Sequence, residues 1–324
     1  MSKKYKVAFI YEKSNVYLSG KHYDNIYYHF FMNALKRNSS IDITYFPSGK
    51  VFDAIQLKNK FDIILLWENN SYGMPEEIRN IDKLDIPVIA KASDPRQSKS
   101  SIPFHKKWKI NYYFHFIHED YFYELYPQNF KYKTIFFGVE PSLYENLSPF
   151  KKRIKNKILN SGNIGNTKFF SKLLLKIKNP HWNAFKQYYL RTLCTNLPYV
   201  DYTSTLQHEY INDKYPLLLQ KYSTAIAACT FNPSAKFWEI PAAGCLTFME
   251  ITKKNKGDFL GFIDEESAIF INEKNYQQKF DEYLSDFNNP KWEKIANKGR
   301  KFALENFNND KAVESFVNLI KNIL

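Results

Sequence analysis

The sequence is short of glycine, cysteine and long apolar runs. It has only 10 glycines and 3 cysteines in 324 residues. The cysteines Cys194, Cys229 and Cys245 are odd in number and show no Cys-x-x-Cys spacing, which disfavours a disulfide framework or a zinc site. No segment approaches the roughly 18 apolar residues of a membrane span, and the first residues lack the apolar core of a secretion signal. We therefore expect a cytoplasmic protein with free, buried thiols.

Acidic residues are also missing where a metal site would need them. The chain contains no Asp-x-Asp pair and no His/Asp cluster with ligand spacing. Between Asn146 and Val200 it has eleven Lys or Arg residues and no Asp or Glu, and its formal net charge is +13. Such an excess suits phosphate-rich ligands, an anionic membrane surface or nucleic acid, without choosing among them. We expect no metal cofactor.

Apolar residues are plentiful, and their spacing predicts an alternation of strands and helices. Hydrophobic residues make up 44% of the chain, and a chain of this length suggests two domains of roughly 100–200 residues. Strands alternating with helices indicate parallel sheets. The predicted strands are Lys6–Ile10, Ile41–Phe46, Asp62–Trp67, Pro87–Lys91, Tyr112–Ile117, Lys157–Ser161, Tyr199–Asp201, Thr224–Ala228, Leu246–Met249 and Phe270–Ile271. The predicted helices are Tyr23–Arg37, Val51–Leu57, His181–Cys194, Tyr215–Lys221, Tyr276–Ser285, Pro290–Phe307 and Asp310–Ile323.

Polar residues follow several predicted strands of the first half of the chain. They are Glu12, Glu68, Asp94, His118 and Glu119. Ligands of parallel sheets bind beyond the carboxyl ends of the strands, so we expect these residues at one edge. Asp94 and His118 are the candidate catalytic residues, since an acid or base there can reach a bound acceptor. The alternative for each is an ordinary polar loop residue.

The stretch from Asn232 to Glu250 is predicted to form a helix, a tight turn and a strand. Asn232 can cap the helix, with Pro233 at its first position, so that amides near Ser234 point outward as an anion site. Lys236 and Glu239 are three residues apart and share a helix face. They offer a cation for phosphate and a carboxylate for two sugar hydroxyls.

Four further residues complete this candidate site. Gly244 permits the reversal from the helix into the following strand. Gly162 and Asn163 belong to a Gly-Asn-rich loop after a predicted strand, where the backbone can come close to a ligand. Arg191 supplies a second cation. Together with Lys236 it can stabilise a departing diphosphate in place of a metal ion.

The segment from Lys236 to Leu246, Lys-Phe-Trp-Glu-Ile-Pro-Ala-Ala-Gly-Cys-Leu, resembles a known signature. It is similar to the Arg/Lys-Phe-x-Glu-x-x-Ala-x-Gly motif of group 1 glycosyltransferases, in the branch related to the spore maturation protein CgeB. In that family the glutamate binds the nucleotide ribose, which implies this role for Glu239. The chain departs from the pattern at Phe231, where many relatives carry a second glutamate, and at Pro241, which must end or kink the helix early. The similarity covers about the last half of the chain and includes Ser161-Gly-Asn163, Tyr188-Tyr-Leu-Arg191 and Phe262-Ile-Asp-Glu-Glu266.

This resemblance implies an α/β fold with two Rossmann-like domains facing each other across a cleft, the glycosyltransferase B (GT-B) arrangement. The implied limits are 1–148 for an acceptor-side domain, 149–308 for a nucleotide-sugar-binding domain and 309–324 for a C-terminal helix that returns to the first domain. The implied activity is transfer of a sugar from a nucleotide-diphosphate sugar, such as a UDP-sugar, to an acceptor that the sequence does not identify: a glycan, a lipid-linked saccharide or another molecule.

Two other readings of the sequence stay open. One is a protein of the same fold that binds a nucleotide sugar or a glycan without transferring it. The other is a basic nucleic-acid-binding or nucleic-acid-modifying protein, whose 24 Tyr and 28 Phe residues could stack on bases. Most of these aromatic residues follow the spacing of a core, and no nucleic-acid-binding module is recognisable.

The segment Thr167–Lys178 is predicted to form a basic amphipathic helix. Its apolar residues can share one face, and Lys168, Lys172 and Lys176 recur every four residues. Such a helix usually packs its apolar face on its own domain. The alternative is a peripheral contact with an anionic membrane, at the inner membrane surface, near a lipid-linked acceptor.

Overall fold

The computed structural model describes residues 4–14, 31–70, 73–94, 97–165, 184–203 and 214–324. The chain forms two compact units. Unit 1 comprises Met1–Gly138 and Asn309–Leu324, and unit 2 comprises Val139–Asn308. Among the described residues, no helix is both long and apolar enough to cross a bilayer.

The described strands follow the predicted alternation. They are β1 Tyr5–Glu12, β2 Ile41–Ser48, β3 Val51–Asp53, β4 Ile63–Leu66, β5 Glu77–Arg79, β6 Val88–Lys91, β7 Ile110–His115, β8 Tyr132–Thr134, β9 Ile158–Ser161, β10 Val200–Thr203, β11 Thr224–Ala227, β12 Leu246–Glu250 and β13 Ile269–Ile271. The α-helices are α1 Met32–Arg37, α2 Ser98–Lys107, α3 Glu119–Leu125, α4 Ala184–Gln187, α5 Tyr189–Cys194, α6 Tyr215–Leu219, α7 Lys236–Ala242, α8 Tyr276–Ser285, α9 Pro290–Asn306 and α10 Asn309–Ile323.

The main sheet of unit 1 has six strands in the order β2-β1-β4-β6-β7-β8. All neighbours run parallel. The strands β4 and β6 are buried at every position, as expected for a parallel sheet covered on both faces. The order of strands reverses between β1 and β4, which makes this pair the topological switch point of the sheet.

The sheet of unit 2 has five parallel strands in the order β10-β9-β11-β12-β13. Its strand order reverses between β9 and β11. Both units are therefore Rossmann-like, and the predicted α/β class with two such domains is confirmed.

Two local predictions are wrong. Val51–Leu57 was predicted as a helix, but it forms β3, which pairs with β5, and then a 3-10 turn over Ala54–Leu57. The Asp53 carboxylate accepts the Ile55 amide at 3.0 Å and starts that turn. The predicted helix His181–Cys194 is divided in its described part into α4 and α5, because the Thr230 amide donates to the Gln187 carbonyl at 2.9 Å and takes it out of the helical ladder.

The last helix, α10, completes the core of unit 1. The buried Phe316 ring lies 5.8 Å from the ring of Phe31 and 5.7 Å from that of Phe114, measured between centroids. At the start of α10, the Asn309 side chain accepts the Gly138 amide at 2.9 Å. The C-terminal helix thus returns to the first domain, as predicted.

We expect Phe316→Ala to destabilise unit 1 by about 3–5 kcal/mol, because it removes a fully buried ring and leaves a cavity. Urea unfolding followed by fluorescence should show the loss. Lys321→Ala, an exposed change on the same helix, is the control. Equal stability of the two variants would contradict a core role for α10.

Candidate functional site

The candidate site of unit 2 lies at the switch point of its sheet. The strand β9 ends at Ser161, directly before Gly162, and the neighbouring β11 ends at Ala227. In open parallel sheets, ligands bind outside the carboxyl ends of the strands where the strand order reverses. The helix α7 follows β11 along the chain, so its residues start near this position.

The predicted cap of α7 is wrong. The helix begins at Lys236, and its N-cap is Ala235, without a side-chain hydrogen bond. The Asn232 side chain instead accepts from Gln187 Nε2 at 3.2 Å and donates to the Pro233 carbonyl at 3.1 Å. These tertiary contacts hold Asn232 away from the helix amides, and they leave Asn232 and Ser234 in the loop before α7.

Lys236 projects from the first turn of α7 towards the end of β9. Its Nζ donates to the Tyr215 hydroxyl at 3.0 Å and to Ser161 Oγ at 3.3 Å. It also lies 4.3 Å from the centroid of the Tyr215 ring, in a cation–π contact. The Tyr215 hydroxyl in turn contacts Ser161 Oγ at 2.7 Å. The ammonium group is therefore held by neutral oxygens and a ring.

Arg191 of α5 approaches the same point from the other side. It is only 3% exposed. Its Nη1 donates to the Asn163 carbonyl at 3.1 Å, and its Nη2 donates to the Ala228 carbonyl. Its Nε is buried and has no hydrogen-bond partner among the described residues. The guanidinium group thus joins the loop after β9 to the end of β11.

Gly162 is the position where both cations meet the backbone. Its φ is +110°, a conformation that favours glycine. A Cβ at this position would lie 2.9 Å from Lys236 Cε and 3.0 Å from Arg191 Nη1. Both the backbone conformation and the close approach of the two side chains therefore require glycine here.

Among the described residues, neither of the two cations forms an ion pair with a carboxylate within 4.0 Å. Burial and the charge of Arg191 lower the pKa of Lys236, and Glu239 opposes this only in part. Near Arg191, burial raises the pKa of Glu250 to about 7, which weakens its value as a counter-ion. Since desolvated charges need compensation, this arrangement is suited to an anionic ligand.

Glu239 lies within α7, whereas Gly244 lies just beyond the end of that helix. Glu239 is fully buried about one helical turn after Lys236, and its charge partly opposes the lowering of the Lys236 pKa that burial and Arg191 cause. Gly244, with φ at +74°, makes the turn from α7 into β12 at the far end of the helix. There the Arg153 guanidinium donates to the Ala243 carbonyl at 2.9 Å. Gly244 therefore shapes the motif without lying at the two cations.

The two catalytic candidates of unit 1 lie after neighbouring strands. Asp94 is in the loop after β6, and its charge adds slightly to the rise that burial causes in the pKa of Glu68. Pro95 and Arg96, which follow it, lie outside the described residues. His118 is the N-cap of α3, where its Nδ1 accepts the Asp120 amide at 3.1 Å. One ring nitrogen of His118 thus has a structural partner.

The sequence did not point to Tyr215 or Lys91. Tyr215 bridges Ser161 and Lys236, and Lys91 at the end of β6 forms a buried ion pair with Glu68. Neither residue belongs to a recognisable sequence motif, so only the tertiary structure brings them to these positions. Across the described ranges, no three His, Cys, Asp or Glu side chains group as metal ligands. The predicted basic helix Thr167–Lys178 lies outside the described residues.

Comparison with known proteins finds similarity in structure alone. No protein-family model and no curated protein sequence matches the chain. An alpha-glucosyltransferase solved with UDP-glucose and DNA containing an abasic site is similar, with a TM-score of 0.61 at 11% identity, over 98% of this chain and 100% of that one. HepE from Anabaena, solved with UDP-glucose, has a TM-score of 0.59 at 10% identity and the same coverages. A glycosyltransferase from Rickettsia africae has a TM-score of 0.58 at 12% identity, over 99% of this chain and 98% of that one.

These similarities establish the fold. The chain has the two-domain Rossmann-like architecture of GT-B glycosyltransferases, as the motif around Lys236 and Glu239 implied. At 10–12% identity the comparison shows the shape of the chain and not its activity. Membership of the CgeB-related branch stays a prediction.

We expect Gly162→Ala to weaken the binding of inorganic pyrophosphate by about tenfold or more, because the new methyl group displaces Lys236 and Arg191. Isothermal titration calorimetry would measure the affinity. The control is Gly49→Ala, since a Cβ at Gly49 meets no atom within 4 Å. If both variants bind pyrophosphate as the parent does, the two cations do not form an anion site.

Proposed function

We propose that the protein is a glycosyltransferase that uses a nucleotide-diphosphate sugar, with a UDP-sugar as the first candidate. One observation carries the proposal. Arg191, which is buried, and Lys236, which is half-buried, converge on Gly162 at the switch point of the second sheet, and neither forms an ion pair within 4.0 Å with a carboxylate of the described residues. A diphosphate supplies the missing negative charge. The fold shared with structures that were solved with UDP-glucose supports this choice of ligand.

Each predicted residue has a role in this proposal. Lys236 and the free Nε–H of Arg191 bind the diphosphate, and the loop at Gly162 and Asn163 lets the backbone come close to it. Ser234 has a buried hydroxyl without a hydrogen-bond partner in the described residues, which suits a phosphate oxygen. Asn232, before α7, and Gly244, after it, hold the chain in place at the two ends of that helix.

Glu239 is proposed to bind the ribose. Its carboxylate is buried beside Lys236 and can accept two hydroxyl hydrogens. A negative charge next to the diphosphate would be unfavourable unless it also bound a hydrogen-bond donor. The ribose hydroxyls of a nucleotide meet that need. The resemblance of the surrounding motif to the group 1 signature supports the same role.

The chemistry needs stabilisation of the leaving group. When the bond between the sugar and the diphosphate breaks, negative charge grows on the β-phosphate oxygen. Lys236 and Arg191 are fixed by Tyr215, Asn163 and the Ala228 carbonyl before the reaction, so they can stabilise that charge with little rearrangement. We therefore propose that the transfer needs no metal ion.

Unit 1 is the proposed acceptor side, with the domain limits 1–148, 149–308 and 309–324 given by the resemblance. Asp94 and His118 are proposed to act on the acceptor hydroxyl from the loops after β6 and β7. A glycan or a lipid-linked saccharide is the expected acceptor, the latter with a peripheral membrane contact. A nucleic acid is a second candidate, because the net charge is +13 and one protein of similar structure was solved with DNA.

A comparison of UDP with inorganic pyrophosphate separates the two proposed subsites. We expect Lys236→Met to weaken the binding of both ligands by about tenfold or more. Glu239→Gln should weaken the binding of UDP to a similar extent. It should leave the affinity for pyrophosphate within about twofold of the parent value, since pyrophosphate has no ribose. Calorimetry on the purified protein measures all four affinities. The control is Lys298→Met, an exposed lysine of the same unit that pairs with Glu266.

Transfer itself is tested by the release of UDP from a panel of UDP-sugars, in the presence of glycan and double-stranded DNA acceptors. Activity that disappears in Lys236→Met would support the enzyme. UDP binding without any release would instead favour a protein that binds a nucleotide sugar and does not transfer it. If Glu239→Gln binds both ligands like the parent, the ribose assignment is wrong.

We expect EDTA to leave UDP release unchanged, because the two cations replace a divalent ion at the diphosphate. The assay should be run with the parent protein before and after dialysis against the chelator, with and without added Mg²⁺ or Mn²⁺. Loss of activity after dialysis that either ion restores would contradict the metal-independent mechanism.

A further inference from the structure

Three ionisable side chains are buried at the ends of adjacent strands of unit 1. Glu68 follows β4, Lys91 ends β6 and His115 ends β7, and they are 7%, 6% and 6% exposed. The register of the sheet aligns these strand ends, since Leu66 pairs with Ala90 in the next strand. They lie beside the switch point between β1 and β4, where ligands of such sheets bind.

The three side chains are only partly satisfied. Lys91 Nζ donates to Glu68 Oε1 at 2.5 Å and lies 4.6 Å from the Trp67 ring centroid. The second carboxylate oxygen, Glu68 Oε2, and the ring nitrogen His115 Nδ1 are buried without any partner in the described residues. A buried ion pair is costly to desolvate, and an unpaired buried oxygen adds to that cost. Stability alone does not explain this group.

The neighbouring polar side chains are satisfied by one another. Asn69 Oδ1 accepts the Ser93 amide at 2.7 Å, and Ser93 Oγ contacts Ser101 Oγ at 2.5 Å and the Tyr126 hydroxyl at 3.2 Å. This network links Asn69, after β4, to Ser93, after β6, and to Ser101 of α2. The unpaired oxygen of Glu68 therefore lies in an ordered environment, as in a preformed binding site.

The charges select the kind of ligand. Glu68 and Lys91 together are neutral, so a cationic ligand at Oε2 would meet Lys91, and an anionic one would meet Glu68. A hydroxyl group avoids both conflicts. Burial raises the pKa of Glu68 to about 7, with Lys91 opposing the rise. A hydroxyl can donate to the ionised carboxylate or accept from the protonated one, so it fits either state.

We propose that the carboxyl ends of β4, β6 and β7 form a saccharide site in unit 1, in which Glu68 binds a sugar hydroxyl and Lys91 is the positioning residue. The identification of this saccharide as the sugar acceptor rests on the proposed function. Whether unit 1 binds a saccharide can be tested independently of the proposed function. Asp94, whose charge acts on Glu68, would lie near the same ligand.

The test is saturation-transfer difference NMR with a saccharide probe and the full chain. The probes are the methyl glycosides of glucose, galactose, mannose and N-acetylglucosamine, at about 10 mM, a level suited to millimolar affinity. Saturating UDP is present to occupy the nucleotide site. The parent should give a signal with at least one probe.

The variant Glu68→Met/Lys91→Met removes both charges and keeps similar volume, which is usually neutral or favourable for stability. We expect the signal to fall by about tenfold or more, since the hydroxyl loses its partner. Melting temperature and UDP affinity should stay as in the parent. The control is Glu77→Met/Arg79→Met, which removes an exposed ion pair of the same unit. The single variant Glu68→Gln, which keeps a hydroxyl-binding oxygen, should retain part of the signal.

Two results would overturn the saccharide site. One is an equal signal in the parent and in the folded Glu68→Met/Lys91→Met variant, which would make the ion pair purely structural. The other is the absence of any signal with all four probes. A parent that binds a saccharide but not UDP would contradict the proposed function and leave the saccharide site standing.

Discussion

Two positive charges held against one glycine are the constraint on which the candidate site of unit 2 depends. Lys236 and Arg191 repel each other, and burial removes much of the water that would screen them. The protein keeps them together with neutral groups: the hydroxyls of Ser161 and Tyr215 on one side, and backbone carbonyls on the other. Such contacts fix positions without neutralising charge. The negative charge of Glu239 compensates Lys236 only in part.

Sheet topology explains why residues far apart in the sequence meet here. The order β10-β9-β11 places the end of β9 beside the end of β11, at the point where the strand order of the sheet reverses. Gly162 follows one strand and Lys236 begins the helix after the other. Arg191 reaches the same point from α5 and donates to the Ala228 carbonyl, just past β11. The site is thus a consequence of the fold, and the glycine is the local condition that lets both cations fit.

The sequence predicted the elements that are determined by residues close to one another in the chain. Continuous apolar runs such as Ile63–Leu66 identified buried parallel strands, and the motif at Lys236 identified the cation and the following turn. It failed where a distant partner decides. Asn232 has the chemistry of a helix cap, but Gln187 occupies its side chain. The segment at Val51 joins a strand because β5 lies beside it. Tyr215 and Lys91 acquire their roles only from convergence in space.

The two units differ in the charge that they leave uncompensated. In the described part of unit 2, Lys236 and Arg191 form no ion pair with a carboxylate, while Glu68 and Lys91 in unit 1 form a neutral pair in which Glu68 Oε2 has no described partner. A diphosphate and a sugar hydroxyl differ in the same way, because one carries charge and the other only a hydrogen bond. Under the proposed function, the two sheets divide the binding of donor and acceptor through a few side chains at their strand ends. The fold supplies the positions, and the residues at those positions supply the selectivity.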